Sequence, residues 1–244
     1  MGMTAPLALL YDLHGNLPAL EAVLADASAQ GAGSYLLGGD YAAFGAWPVE
    51  TVARLDALPA DATTWIRGNW DRWLADELAG TPSRDRPDNE LVGGAAAHAL
   101  AALPAEVVRR LGALDAQVAL PDPPDGTATR AVHGSAGSDM TSFLPTHTDH
   151  DAQNAAGVQE PRLVFGHTHL QFERPGPGGL VLLNPGSVGM PLDGDVRAAY
   201  ALVHPDGVEL RRVPYDHEAS AQALDAVGSP WAREIADRLR KGHA

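Results

Sequence analysis

Residues 7–16 read Leu7-Ala8-Leu9-Leu10-Tyr11-Asp12-Leu13-His14-Gly15-Asn16. The first five residues predict a short buried strand that stops at Asp12. Asn16 then caps a helix predicted through Gln30, with Leu17, Leu20, Leu24 and Ala27 on one face and Gly31 at its end. Tyr35 to Leu37 predicts the next strand, broken by Gly38-Gly39 directly before Asp40. A helix from about Pro48 to Leu58 follows, then a strand over Thr63 to Arg67 that stops at Gly68-Asn69. This alternation is the pattern of βαβ units, in which functional groups collect at the carboxyl ends of parallel strands.

Further along, Gly80 to Asn89 is polar and proline-bearing and reads as a loop. Glu90 to Leu103 and Pro104 to Leu114 predict two alanine-rich helices. The second half is strand-rich. Ala116 to Leu120 and Ala128 to Val132 flank the turn-forming segment Pro121 to Gly126, and Arg162 to Phe165 follows. Phe172 to Arg174 and Leu180 to Leu183 are joined by Pro175 to Gly179. Ala198 to Val203 and Val208 to Val213 make a hairpin across Pro205-Asp206-Gly207, and helices over Asp216 to Val227 and Pro230 to Arg240 close the chain. There is no internal repeat and no linker long enough to divide the chain, so one domain over residues 1–244 is expected.

Composition excludes several classes of function. The chain has no cysteine, which removes disulfides, thiolate zinc sites and a cysteine nucleophile together. Only oxygen and imidazole ligands remain. A net charge of -14 with Lys241 as the only lysine argues against general nucleic-acid binding, which draws on clustered basic residues. No apolar run is long enough to span a membrane, and Met1 to Leu10 has no basic residue ahead of its apolar stretch, so a cytoplasmic protein is expected. An anionic substrate would need a strong local positive centre, which bound divalent ions supply. A serine hydrolase fails on the nucleophile elbow: the glycine required two places before Ser135 is His133, and before Ser187 it is Pro185.

Five fragments end in residues able to hold such ions: Asp12-Leu13-His14, Gly39-Asp40, Gly68-Asn69, His133-Gly134 and Gly166-His167-Thr168-His169. Taken singly, each is more often a turn than a site. Together with Gly15-Asn16, Asp71 and Asn184-Pro185-Gly186-Ser187, they stand in the order and spacing of the calcineurin-like metallophosphoesterases. The chain resembles that superfamily from about Leu7 to Tyr215. It is most similar to the small bacterial and archaeal phosphodiesterase branch, which includes dinucleoside polyphosphate hydrolases.

The resemblance implies an α/β fold of the α+β type: a four-layer αββα sandwich in which two mixed β-sheets pack face to face and helices lie outside. It implies that Asp12, His14 and His169 hold one divalent ion, that Asn69, His133 and His167 hold another, and that Asp40 bridges both. Mn²⁺ is the default it implies, although Fe²⁺, Ni²⁺, Co²⁺ and Zn²⁺ accept the same donors. Relatives are often dimers, so a homodimer stays open. Two ions roughly 3.5–4 Å apart trap a water, lower its pKa toward about 7 and direct the resulting hydroxide at phosphorus. They bring about +4 against the two aspartates, so the centre stays cationic. Asp40, Asn69 and His133 would be central to catalysis. The neutral amide of Asn69 coordinates without cancelling that charge.

One departure bears on substrate. Many members of the superfamily carry a histidine after the asparagine that helps protonate the leaving group; here the position is Trp70. Trp70 reads equally as a core aromatic or as a substrate contact, and Arg67 as a phosphate contact or a solvated strand end. Without an acid there, the expected substrates are small phosphorylated molecules whose leaving group tolerates negative charge: aryl esters, nucleotides or dinucleoside polyphosphates. Two other readings remain at this level. One is a scaffold that kept the fold and lost catalysis, against which all seven ligand positions carry competent residues. The other is a protein phosphatase, which the acidic composition and Trp70 disfavour. His98, His147, His150, His204, His217 and His243 match no ligand position, although His147 and His150 lie in a polar loop after His133.

Overall fold

The computed structural model describes residues 5–243; the start of the N-terminal stretch read for a leader, residues 1–4, lies outside the described residues. Strand β1 (Leu7–Leu10) is buried on both faces. Leu7 and Leu9 join one apolar cluster and Ala8 and Leu10 another, which is the two-residue period of a pleated strand covered on each side. Helix α1 (Leu17–Ala29) begins where expected, with the Asn16 side chain accepting from the Ala19 amide at 3.4 Å. It is followed by β2 (Ser34–Leu37), α2 (Pro48–Asp56) and β3 (Thr63–Trp65). β3 ends two residues early. Arg67 turns away, its amide donating at 2.8 Å to Asp115 instead of to a neighbouring strand.

Helix α3 (Asn69–Leu78) is not foreseen by the sequence reading. Its N-cap, Gly68, has no side chain with which to cap it. Asp71, one turn in, reaches back instead and accepts from the Gly68 amide at 2.8 Å. Trp70, Trp73 and Leu74 are buried on its inner side. Helices α4 (Glu90–Ala102) and α5 (Ala105–Gly112) follow as predicted, separated by Pro104.

The second half contains β4 (Gln117–Leu120), β5 (Thr129–Val132), the single-turn α6 (Asp151–Asn154), β6 (Arg162–Val164), β7 (Phe172–Pro175), β8 (Val181–Asn184), β9 (Ala198–His204), β10 (Gly207–Val213), α7 (His217–Val227) and α8 (Pro230–Lys241). Two mixed five-stranded sheets result, ordered β10-β9-β1-β2-β3 and β4-β5-β6-β8-β7. In the first, β1, β2 and β3 are parallel; in the second, β5, β6 and β8 are.

The sheets face each other across a shared interior of Leu9, Tyr11, Leu36 and Ile66 against Ala131, Val164 and Leu183. Helices α1 to α5, α7 and α8 share an apolar cluster with the outer face of the first sheet. On the outer face of the second, Phe165, Phe172 and Leu182 pack against Phe143 from the segment that carries α6. That fourth layer is therefore a loop with one helical turn. It is pinned by a buried ion pair, Arg174 Nη2 to Asp151 Oδ2 at 2.8 Å, and by Arg174 Nε donating to the Leu144 carbonyl. No helix among the described residues is long and apolar enough to cross a membrane.

Candidate metal centre

The loops that leave β1, β2, β3, β5 and β6 meet at one edge of the two sheets, and each carries expected ligands. Asp12, His14, Asp40, His167 and His169 all have positive φ, at 53°, 48°, 58°, 67° and 59°. Phe44 is the only other non-glycine residue so placed among the described residues. Each such conformation costs on the order of 1–3 kcal/mol and persists only where neighbours hold it. Here the neighbours are backbone: the amides of Asp12, His14 and Gly15 donate to the carbonyls of Gly39, Asp40 and Tyr41 at 3.2, 2.8 and 2.9 Å.

The side chains form two linked groups. In the first, His14 Nε2 and His169 Nε2 stand 3.1 Å apart, and Asp12 Oδ1 is 3.5 Å from His169 Nε2. In the second, Asn69 Oδ1 lies 3.0 Å from both His133 Nε2 and His167 Nδ1. Asp40 Oδ2 sits between the groups, 3.8 Å from His14 Nε2 and 3.4 Å from His133 Nε2. Asp12 Oδ1 also faces both, being 3.8 Å from His133 Nε2. Asp12, His14 and His169 offer donor atoms within 4.8 Å of one another, as do Asp12, Asp40 and His133. His98, His147, His150, His204, His217 and His243 belong to neither group.

These contacts suit a site built to receive cations. The Nδ1 atoms of His14, His133 and His169 face the carbonyls of Ala43, Gly38 and Met190 at 3.1, 2.8 and 2.7 Å. A carbonyl only accepts, so each Nδ1 carries the proton and each Nε2 presents a lone pair. His14 and His169 thus point lone pairs at each other, while His133 turns its Nε2 toward three oxygens. Asp12 Oδ1 is buried with no hydrogen-bond partner at all. Positive ions placed among these atoms would satisfy every one of them, so the donor set fits a pair of divalent metals.

The buried charges act on the protonation of these groups in the same sense. Burial opposes protonation of His133, but Asp40 and Asp12 outweigh it and push the imidazole up to about 10. Burial drives Asp12 upward, with the Asp40 charge adding to it. It also drives His167 down to about 4 and His169 well below the usual imidazole range. The negative potential of Asp40 and Asp12 that favours the protonated His133 also favours a cation at this place.

Close approach requires glycine at two points. A Cβ on Gly68 would lie 2.1 Å from Asp40 Oδ1, and one on Gly166 would lie 2.5 Å from Asp12 Oδ2. Both positions abut the carboxylates, which is why each aspartate faces a glycine.

The sequence profile of the calcineurin-like phosphoesterase superfamily domain matches residues 6–207. The chain belongs to that superfamily. Its fold superposes on a metallophosphoesterase from Sphaerobacter thermophilus with a TM-score of 0.77, at 27% identity over 98% of this chain and 99% of that one. A hypothetical protein from Pyrococcus horikoshii OT3 gives a TM-score of 0.82 at 19% identity, covering 99% and 100%. A phosphoesterase from E. coli gives 0.52 at 23% identity, covering 85% and 92%. No curated protein matches the chain significantly. As a calcineurin-like phosphoesterase, the protein is a phosphoester-hydrolysing enzyme of a family that uses divalent metals.

In this phosphoesterase, Trp70 is 4% exposed and packs edge-on against Phe44 and Trp73, with ring centroids 4.5 and 5.2 Å apart. That leaves its ring almost no surface for a substrate. Its backbone does approach the site, the Trp70 amide donating to Asp40 Oδ1 at 2.9 Å. Arg67 is half-buried, and its Nη1 donates to the Gly112 carbonyl at 3.1 Å. It also lines a cavity of about 410 Å³ that reaches His133.

Several supporting groups escaped the sequence reading. The Asp71 carboxylate accepts from the amides of Asp40, Gly68 and Tyr41 at 2.9, 2.8 and 3.3 Å, binding the β2 loop to the start of α3. Its membership in Gly68-Asn69-x-Asp71 was the available signal. Ser187 Oγ donates to the Asp12 carbonyl at 2.7 Å and accepts from the Met190 amide at 2.8 Å, which sets the carbonyl that orients His169. The carbonyls of Gly38, Ala43 and Met190 had no signal, because backbone oxygens leave no trace in residue type.

Proposed function

We propose that the protein is a dinuclear metal-dependent phosphoesterase that hydrolyses phosphodiester, phosphomonoester or phosphoanhydride bonds of small, nucleotide-like substrates. The observation that carries the proposal is the pair of lone-pair foci, His14/His169 and His133/Asn69, with Asp40 Oδ2 between them. Asp12, His14 and His169 would hold one ion and Asn69, His133 and His167 the other, with Asp40 shared. Bound divalent ions supply Lewis-acid stabilisation of phosphoryl charge and a water-derived nucleophile at neutral pH. Mn²⁺ is the first ion to test. The shared interior of the two sheets supports a single domain.

The chain's own residues set the geometry. Carbonyls fix three imidazoles so that their Nε2 atoms face inward, and the Trp70 amide and Asp71 hold the Asp40 carboxylate and backbone. The cavity beside His133 is of a size that takes small molecules, and Arg67 on its wall is the positive group nearest to hand for a phosphate. Arg72 on the same wall is already engaged by Asp139 and Asp85. Because Trp70 has no acidic proton, the leaving group must depart without help from that position.

Steady-state assays with Mn²⁺ test this reading. Aryl diesters and phosphoanhydrides are expected to turn over at least about tenfold faster than alkyl monoesters, a barrier difference of about 1.4 kcal/mol. Alkyl monoesters cleaved as fast as aryl diesters would show that another group protonates the leaving oxygen.

A further inference from the structure

The superfamily profile ends at residue 207, yet two residues beyond it reach the site through one side chain. Asn16, 3% exposed, follows His14 by two positions. Its Nδ2 donates to the Gly189 carbonyl at 2.7 Å and to Tyr215 Oη at 3.1 Å. Its Oδ1 accepts from Ser220 Oγ at 3.0 Å and from the Ala19 amide at 3.4 Å. Both donors and both lone pairs of the amide are therefore used, so its orientation is fully determined.

Gly189 is bound in turn to the aspartate loop, its amide donating to the Asp12 carbonyl at 3.0 Å. The next residue, Met190, supplies the carbonyl that holds His169 Nδ1 at 2.7 Å. Asn16 thus links the two imidazoles of one group, His14 through the chain and His169 through Gly189-Met190. The space left among His14, Asn16, Met190, Ser220 and Leu239 is only about 10 Å³, roughly one water, so the C-terminal helices press on this loop without play.

We infer that Asn16 is a positioning residue for the ion site formed by Asp12, His14 and His169, and that Tyr215 and Ser220 of the C-terminal helical segment set its orientation. This rests on the dinuclear reading above. Loss of the two hydroxyls lets the amide rotate, which loosens Gly189 and, through Met190, the direction of the His169 lone pair. The other group, Asn69, His133 and His167, makes no contact with Asn16 and should be unaffected.

The test is a calorimetric Mn²⁺ titration of the full-length Tyr215→Phe/Ser220→Ala variant beside wild type and Glu218→Gln. Glu218 lies on the same helix but pairs with Arg240, away from Asn16. Wild type should show two binding steps. In the double variant, the step that His14→Ala also removes should weaken about tenfold, with the other unchanged. Turnover at limiting Mn²⁺ should fall and recover at saturating Mn²⁺. Glu218→Gln should leave both steps alone, because its ion pair with Arg240 is exposed. Two unchanged steps in the double variant, or both weakened equally, overturn the inference while leaving the dinuclear reading intact. A wild type that takes up no divalent ion overturns both.

Discussion

Asp40→Asn is expected to abolish hydrolysis, lowering kcat by roughly 10³-fold or more, which corresponds to about 4 kcal/mol of lost transition-state stabilisation. The substitution keeps the shape of the side chain and an oxygen to accept from the Trp70 amide, so the loop need not rearrange. It removes the charge. Asp40 is one of two carboxylates among the candidate ligands, and its Oδ2 is the atom that faces both His14 and His133. A neutral amide there attracts two cations far less and presents an NH2 group toward one of them. Steady-state kinetics and metal content measured on one preparation check the prediction: both turnover and metal occupancy should fall. Activity retained within about tenfold, less than about 1.4 kcal/mol of barrier, would remove Asp40 from the shared position.

Chelation should produce the largest change in stability. Asp12, His14, Asp40, Asn69, His133 and His169 are each at most 5% exposed, so water solvates none of their donor atoms well. Without cations the fold confines two carboxylates, one orphaned oxygen and opposed imidazole lone pairs in a dry space. An ion at about 1,000 times its Kd stabilises the folded state by about 4 kcal/mol, which for a chain of this size raises the melting temperature by roughly 8–16 °C. Scanning calorimetry of EDTA-treated and Mn²⁺-loaded protein should show at least that gap. Its pH dependence has a definite sign. Ligand imidazoles bind metal only when that nitrogen is unprotonated, and the Asp40 and Asp12 charges push His133 up to about 10, favouring its protonated form when no metal is bound. Binding therefore releases protons, and the gap must shrink as pH falls. Equal melting temperatures with and without metal would count against a buried metal centre.

The sequence carried the parts of this structure that depend on residue type. Short apolar runs located β1, β2, β5, β6 and β8, and collinear Asp, Asn and His fragments placed the candidate ligands after β1, β2, β3, β5 and β6. Where geometry depends on the backbone, residue type was mute. Helix α3 went unseen because its first residues belong to a motif and its N-cap is a glycine; the spacing of Trp70, Trp73 and Leu74 was the overlooked cue. β3 stopped short because Arg67 pairs with Asp115, a contact that crosses α3, α4 and α5 in the chain. Left-handed conformations at Asp12, His14, Asp40, His167 and His169 run against local preference. They are imposed by the facing loops, as strain at functional sites commonly is. For Trp70 residue type left a core aromatic and a substrate contact equally open, and the ring fills space between Phe44 and Trp73.

The most direct test is anomalous diffraction from crystals grown with Mn²⁺. Two peaks roughly 3.5–4 Å apart should appear, one against Asp12, His14 and His169, the other against Asn69, His133 and His167, with Asp40 touching both. No peak among these residues, or ions bound only elsewhere on the protein, would contradict the dinuclear centre.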